Sequence, residues 1–400
     1  MTKQRSFFLI LILGALTAIG PFSIDMYLPG FPAIARSFHT TTAEVSLSLS
    51  SFFIGISLGQ LLYGPLLDRF GRKNPLYAGL MLYIITSAGC FFAASIEALV
   101  VLRFVQAIGS CAAAVASMAM VRDVFPPEDN AKVFALLILI LGVSPMIAPT
   151  VGGYLTDAFG WQSIFIILAV IAFLVLIAVI FGLPESYPPD PLFSLRPKPI
   201  IENFITVLKH PQFYTYAICG AIGFSGLFAY LAASPFVFMV VFGVSSKAYG
   251  LIFALLSVGF IGSSQVNSLL TKYFSSSQIV SVSIAAMVAA AAIFFIGSIN
   301  GWFGIAGTIF MVFAFLCGVG ITYPNTSALS LAPFSKNAGT AAALMGAFQM
   351  AVGSLASVVV SLFKSHSSIP MAGIMLVAAL LALIILIIGK STLKQKTAKL

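Results

Sequence analysis

Two ionisable side chains interrupt long uncharged runs, Asp25 and Arg103. A charge in hydrocarbon costs at least about 2.5 to 3.5 kcal/mol on insertion scales, so each must face water, a partner or a working site. A carboxylate placed there can hold a cation when ionised and release it when protonated. Burial and a neighbouring arginine act on such a carboxyl in opposite senses, so the two together can set it near working pH. Asp25 lies roughly 27 Å along its helix from Phe7, at about 1.5 Å per residue. Arg103 stands about one turn into a run that begins near Leu99, from the other side. Both then reach the same, outer depth. We expect Asp25 to bind the proton and Arg103 to tune it. A static ion pair between spans one and four, or snorkelling at the interface, are the alternatives.

A second cluster sits at Gly64–Lys73, GPLLDRFGRK. Uncharged runs at 45–67 and 74–96 flank it, each long enough to cross a bilayer as a helix. The joint is too short to cross back, so the two runs form an antiparallel hairpin. Basic residues on short loops mark the cytoplasmic side. Asp68 adds nothing to that bias, so a gate or latch role is expected of Gly64, Asp68, Arg69, Gly71, Arg72 and Lys73. A topogenic loop is the alternative. Arg122 and Asp123, at the inner end of span four, are either companions of this gate or a solvated helix end.

These residues need a scaffold, and composition dictates its kind. Of 400 residues, 60% are hydrophobic and 8% charged, too few charges to cover a soluble domain. Recurring apolar runs of about 20 residues predict helical spans rather than a barrel. Twelve are expected, near 7–28, 44–67, 75–94, 99–121, 133–155, 163–183, 213–240, 249–270, 279–299, 304–323, 337–363 and 369–388. A polar inner loop is expected at 122–132. Of 20 Lys plus Arg, Arg36, Lys247 and Lys364 fall outside and Arg103 within a span. The rest, including the basic tail Lys390, Lys394, Lys396 and Lys399, fall inside, which places both termini in the cytoplasm. The expected fold is all-α and polytopic, with two six-helix bundles at 1–190 and 211–400. A Pro-rich cytoplasmic linker, 191–210, joins them, with a short surface helix at 199–208. Asn267 and Lys272 loosely echo Asp68 and Lys73, as parallel repeats would. Ser225-Gly226 and Pro235 mark span seven for bending.

Several functions are excluded. No phosphate-cradling Gly-rich loop is present, so the energy source is a proton gradient rather than a nucleotide, and no cofactor is expected. His39, His210 and His366 are too dispersed for a metal site. Cys90, Cys111, Cys219 and Cys317 lie inside apolar runs and read as small buried residues. The net charge of +9 is a topology signal, not a sign of nucleic acid. An enzyme is not expected. One chain holds both halves, so a monomer suffices.

Span five carries Gly142, Pro145, Pro149, Gly152 and Gly153. Small residues allow close helix approach and proline permits a bend, so a tight, kinked interface is expected, with ordinary packing as the alternative. A cavity is expected where the halves meet near mid-membrane. Candidate lining residues are Tyr27, Gln106, Phe224, Phe228, Tyr230, Asn325 and Gln349, with Tyr63, Tyr83, Gln265, Asn267 and Tyr323 behind them. Such a wall favours small hydrophobic or amphipathic molecules.

The joint GPLLDRFGRK resembles the signature loop of the major facilitator superfamily. That resemblance implies that Asp68 and the basic residues latch two half-transporters on the cytoplasmic side. Ile24–Pro29, IDMYLP, resembles the first-span motif of drug:proton antiporters. Arg103–Gln106 with Gly109 is similar to the fourth-span motif linked to proton transfer, with Ala107 where that motif often has Gly. G-x-x-x-A-P-x-x-G-G around Pro149 resembles the antiporter motif, with Ala148 replacing its usual Gly. IDMYLP, RFVQAIG, MVRDVF and SPMIAPTVGG occur in the order of the Bcr/CflA-like multidrug exporters. The resemblance implies proton-coupled drug efflux by rocking bundles, in a bacterial inner membrane. Proton-coupled import of a small nutrient would use the same fold and carboxylate, and is the alternative.

Overall fold

The computed structural model describes residues 3–190, 197–334, 338–363 and 367–397. Arg196, Lys336, Asn337, Lys364, His366 and Lys399 lie outside the described residues, as do 191–196 of the expected linker. The chain is all-α and polytopic. Fourteen α-helices form among the described residues: α1 (Lys3–Asp25), α2 (Phe31–Ser37), α3 (Thr42–Phe70), α4 (Lys73–Phe91), α5 (Ile96–Val124), α6 (Pro127–Phe159), α7 (Gln162–Gly182), α8 (Pro197–Leu208), α9 (Pro211–Pro235), α10 (Ser246–Leu270), α11 (Ser276–Ile299), α12 (Ile305–Leu331), α13 (Ala338–Leu362) and α14 (Ile369–Thr397). Among the described residues, eleven segments are long and apolar enough to cross a bilayer, with α1 and α2 counted as one. The twelfth expected span is α4, whose 19 residues begin Lys-Asn-Pro. That polar first turn dilutes its hydropathy, but at about 1.5 Å per residue it still matches a hydrocarbon core of about 30 Å.

Local signals explain the ends. Thr41 and Ser95 cap α3 and α5 by accepting the amides of Glu44 and Ala98. Ser275 and Gln278 form a reciprocal capping box on α11. Gly71 and Gly160 stop α3 and α6 at φ +80° and +82°, a region that suits only glycine.

The structure departs from the expected course most clearly in two places. Span one does not run to Leu28. It stops at Asp25, turns through a 3-10 segment at Leu28–Gly30, and resumes as α2. Pro29 and Pro32 sit at the starts of the two new segments, where a missing amide does no harm. The expected inner loop 122–132 is largely absent. Helix α5 runs on to Val124 and α6 begins at Pro127, so Phe125 and Pro126 alone break them. Span seven does distort at Pro235, where α9 passes into a π-helical turn, Phe236–Val241.

The chain forms two compact units. One comprises residues 1–196 with Ser246–Leu251; the other comprises 197–245 and 252–400. In the first, α5 is central and packs on α3, α4 and α1, while α1 also packs on α6 and α7. In the second, α9 is central, against α12, α13 and α14. Tyr216, Cys219, Val280, Ile284, Ala382 and Leu386 bury the α9–α11–α14 seam. Helix α8 packs on this unit through Val207, beside Phe213, Ala341 and Leu344. The four cysteines are free thiols.

Small residues set the close crossing of α4 and α5 in the first unit. A Cβ on Gly109 would lie 2.7 Å from the Gly79 carbonyl oxygen and 2.7 Å from the Tyr83 nitrogen. Backbone cannot yield as a side chain can. Gly109→Ala is therefore expected to destabilise the protein by about 1–3 kcal/mol. Its melting temperature in detergent should fall; an unchanged value would contradict this α4–α5 contact.

Candidate functional site

The end of α1 is the unusual feature of the first unit. A helix that stops leaves its last carbonyls without amide partners and carries the negative end of its dipole. Inside a membrane, such a break is tolerated only where protein satisfies it. Arg103 on α5 does so. Its Nη2 donates to the Ser23 carbonyl oxygen at 2.9 Å, and its Nη1 donates to Gln106 Oε1 at 2.6 Å. The guanidinium also stands 4.6 Å from the Tyr27 ring centre and 4.2 Å from that of Phe52. Desolvated cation–π contacts of this kind are worth about 2 kcal/mol. Arg103 is fully buried. It is thus a buried cation whose counter-charge is a helix end and two ring faces.

Asp25 is the last residue of α1 and is 4% exposed. No ion pair joins it to Arg103, and no hydrogen bond reaches its carboxyl among the described residues. The static ion pair considered from the sequence is not formed. Snorkelling fails as well, because both groups are enclosed. An ionised carboxylate held there without a partner is costly.

The joint between α3 and α4 is an ion-pair network. Arg72 Nη1 meets Asp68 Oδ1 and Arg72 Nε meets Asp123 Oδ2, each at 2.8 Å. One guanidinium thereby ties the ends of α3, α4 and α5. Burial alone would pull the Arg72 guanidinium down. Hydrogen bonds and charge from Asp123 and Asp68 outweigh it and hold it above its ordinary value. The segment after α7 straps this network from outside. Glu185 accepts the Arg72 amide at 2.8 Å and the Lys73 amide at 3.1 Å, a carboxylate at the start of α4. Ser186 donates to Asp123, and the Arg72 guanidinium lies 4.5 Å from the Tyr187 ring centre. Lys73 Nζ donates to the Leu183 carbonyl at 2.7 Å. Arg69 donates to the Asp190 carbonyl at 3.2 Å. Arg122 takes no part in these bonds; its guanidinium stands 5.9 Å from the Phe134 ring centre. A Cβ on Gly64 would meet open space, so Gly64 is not a packing glycine here.

Helix α6 brings Gly152 against the break in span one. A Cβ there would fall 2.1 Å from the Met26 carbonyl oxygen. A Cβ on Gly153 would fall 2.7 Å from the Ser246 carbonyl oxygen, in the first turn of α10. Pro145 and Pro149 lie inside the same helix, and Gly142 lies one turn before Pro145. The candidate antiporter stretch is therefore a close-approach surface on both sides of its two final glycines.

Two expected cavity residues are placed elsewhere. Tyr27 and Gln106 are fully buried in the first unit, where they hold Arg103. In the second unit, Phe224 packs its ring against Phe228, Phe260 and Tyr323. Tyr230 stacks on Phe253, and Asn325 donates to Asn267 at 2.6 Å. Phe228, Tyr230 and Asn325 are interior packing residues in this structure. Gln349 does line a cavity, with Tyr216, Gly220, Tyr323 and Thr326, but its ≈ 10 Å³ holds about one water.

Comparison with known proteins places this geometry in a family. The Major Facilitator Superfamily matches residues 13–360. The chain belongs to that superfamily. It is 31% identical over 383 residues to an uncharacterized MFS-type transporter, YdgK, of Bacillus subtilis, covering 95% of this chain and 94% of the relative. It is 30% identical to a bicyclomycin resistance protein homolog of Haemophilus influenzae, covering 93% of each. Its fold is similar to the crystal structure of a D-xylose–proton symporter, with a TM-score of 0.75 at 15% identity over 94% of this chain and 97% of that one. This superfamily member is a multi-pass membrane transporter of small molecules and not an enzyme.

Sequence reasoning missed the strap and the residues around Arg103. Glu185, Ser186 and Tyr187 carry no signal in the sequence, since a polar stretch after a span has no period. Ser23 and Ser87 read as ordinary small span residues, and Tyr83 as a candidate cavity residue rather than a support for Arg103. Two outcomes follow from the geometry. Glu185→Ala should cost about 1 kcal/mol of local stability by uncapping α4. Amide exchange at 71–74 should rise while the rest of the chain stays protected; unchanged exchange there would contradict the strap. Gly152→Ala should displace the Met26 turn and lower transport by at least tenfold while the helix content stays intact. Full transport would show that this close approach is dispensable.

Proposed function

We propose that this transporter exports small hydrophobic or amphipathic drugs in exchange for protons. The observation that carries the reading is Asp25, a buried carboxyl without a partner at the broken end of the first span. Protonation removes the cost of its charge. Loss of the proton creates an anion that attracts Arg103 or a cationic substrate. Drug and proton then compete for one site, which is the requirement for antiport.

The energetics suffice. A proton moving down a gradient of one pH unit yields about 1.4 kcal/mol, and about 100 mV of potential adds about 2.3 kcal/mol. Together they sustain a concentration ratio of several hundred for a neutral drug.

Export rather than import is favoured by the bicyclomycin resistance homolog among the relatives and by the proline-bearing, glycine-faced α6. The basic residues at the α3–α4 joint and in the tail support a cytoplasmic location for both termini, in a bacterial inner membrane. The two six-helix halves alternate access as a rocker-switch, with the Asp68–Arg72–Asp123 network as a gate element. One chain supplies both halves, so the monomer is the working unit.

Everted membrane vesicles test the reading. With an acidified lumen, wild type should accumulate bicyclomycin, and a protonophore should abolish the uptake. Asp25→Asn should lower that accumulation by at least tenfold. Wild-type uptake by the Asp25→Asn protein, or uptake indifferent to the protonophore, would overturn proton coupling through this residue.

A further inference from the structure

Arg103 is held by a closed ring of hydrogen bonds that crosses three helices. Arg103 Nη1 donates to Gln106 Oε1, and Gln106 Nε2 donates to Ser87 Oγ at 2.7 Å. Ser87 Oγ donates to the Tyr83 carbonyl at 2.7 Å. Tyr83 Oη shares a 2.6 Å hydrogen bond with Ser23 Oγ, and the Ser23 carbonyl takes Arg103 Nη2. The ring thus closes through α1, α4 and α5. Its members are buried, and the Arg103 Nε–H has no acceptor. The guanidinium therefore retains an unspent donor at Nε among the described residues, and an unpaired carboxyl stands two residues beyond its Ser23 anchor.

The surroundings leave few other controls. Facing Arg103 are Tyr27, from the turn after α1, and Tyr83 and Cys90, from α4. Helix α3 contributes Phe52 and α7 contributes Phe165, neither titratable. Helix α6 presents Gly152 to the Met26 backbone. Among the described residues no ion pair reaches Asp25 from any of these elements.

We propose that Tyr83 and Ser87 are positioning residues that hold Arg103 off Asp25 and so set the pH at which Asp25 exchanges its proton. The inference rests on the proton-site reading above. Ser87 anchors Gln106, and Gln106 anchors one end of the guanidinium. Tyr83 anchors the Ser23 turn that carries the other end. Removing either hydroxyl loosens Arg103, and the carboxylate two residues beyond its Ser23 anchor is Asp25. An approaching cation favours the ionised acid, so proton exchange moves to lower pH.

Infrared titration of purified protein tests this without a substrate. The carboxyl C=O band that disappears in Asp25→Asn reports the protonated acid. In wild type it should fade as pH rises, with one midpoint. In Tyr83→Phe and in Ser87→Ala the midpoint should lie about one pH unit lower, a tenfold weaker hold on the proton. Ser87→Thr, which keeps the hydroxyl, should restore it. Circular dichroism on each variant verifies the fold, and the two independent substitutions guard against one that does not assemble. A band that titrates in wild type but is unmoved in both folded variants overturns this inference and leaves the proton site standing. If wild type shows no band sensitive to Asp25→Asn, the proton-site reading fails and the inference with it.

Discussion

A single guanidinium capping a broken helix is the constraint on which the first unit depends. The first span stops at Asp25, and a helix end in a membrane must be satisfied by protein. Arg103 supplies that satisfaction at the Ser23 carbonyl. The reciprocal need is as strong, because a fully buried cation requires compensation. Here it comes from the helix dipole, the Gln106 amide and the faces of Tyr27 and Phe52 rather than from a carboxylate. Each feature makes the other tolerable, and Asp25 is left over as the unpaired acid.

The packing follows from this arrangement. Helix α5 must approach α1 and α4 closely enough for Arg103 and Gln106 to reach them. Gly79 and Gly109 allow the α4 approach, since neither position has room for a Cβ. Helix α6 closes the other side of the break through Gly152, against Met26. At the opposite end of the bundle a second guanidinium, Arg72, performs a different task. It is 8% exposed and finds two carboxylates, so that joint is a conventional ion-pair network held by the Glu185 strap. One buried arginine stores an unmet demand; the other is fully engaged.

Much of this was legible in the residues. The uncharged runs located the spans, and the Gly64–Lys73 joint located the hairpin and its basic cluster. Asp25 and Arg103 stood out because charge is costly in such runs. What the sequence hid was local and three-dimensional. The stop at Asp25 has no helix breaker of its own, since Pro29 and Pro32 lie beyond it. Pairing by equal depth misjudged the partner of Arg103, because a backbone carbonyl leaves no mark in sequence. Tyr27 and Gln106, expected at a cavity, contact Arg103 inside the first unit in this structure. The loop expected at 122–132 contracted to Phe125–Pro126, because the Pro-Pro step serves as a helix start as readily as a loop. Glu185 was invisible as a cap because its partners are amides 112 and 113 positions earlier.

The most direct measurement is proton release on drug binding, followed in weakly buffered detergent solution with purified protein and bicyclomycin. If Asp25 is the shared site, binding by wild type releases protons to the solution. Asp25→Asn then binds the drug and releases none. Equal release by both proteins would contradict the account, since the exchanging proton would have to reside on another group.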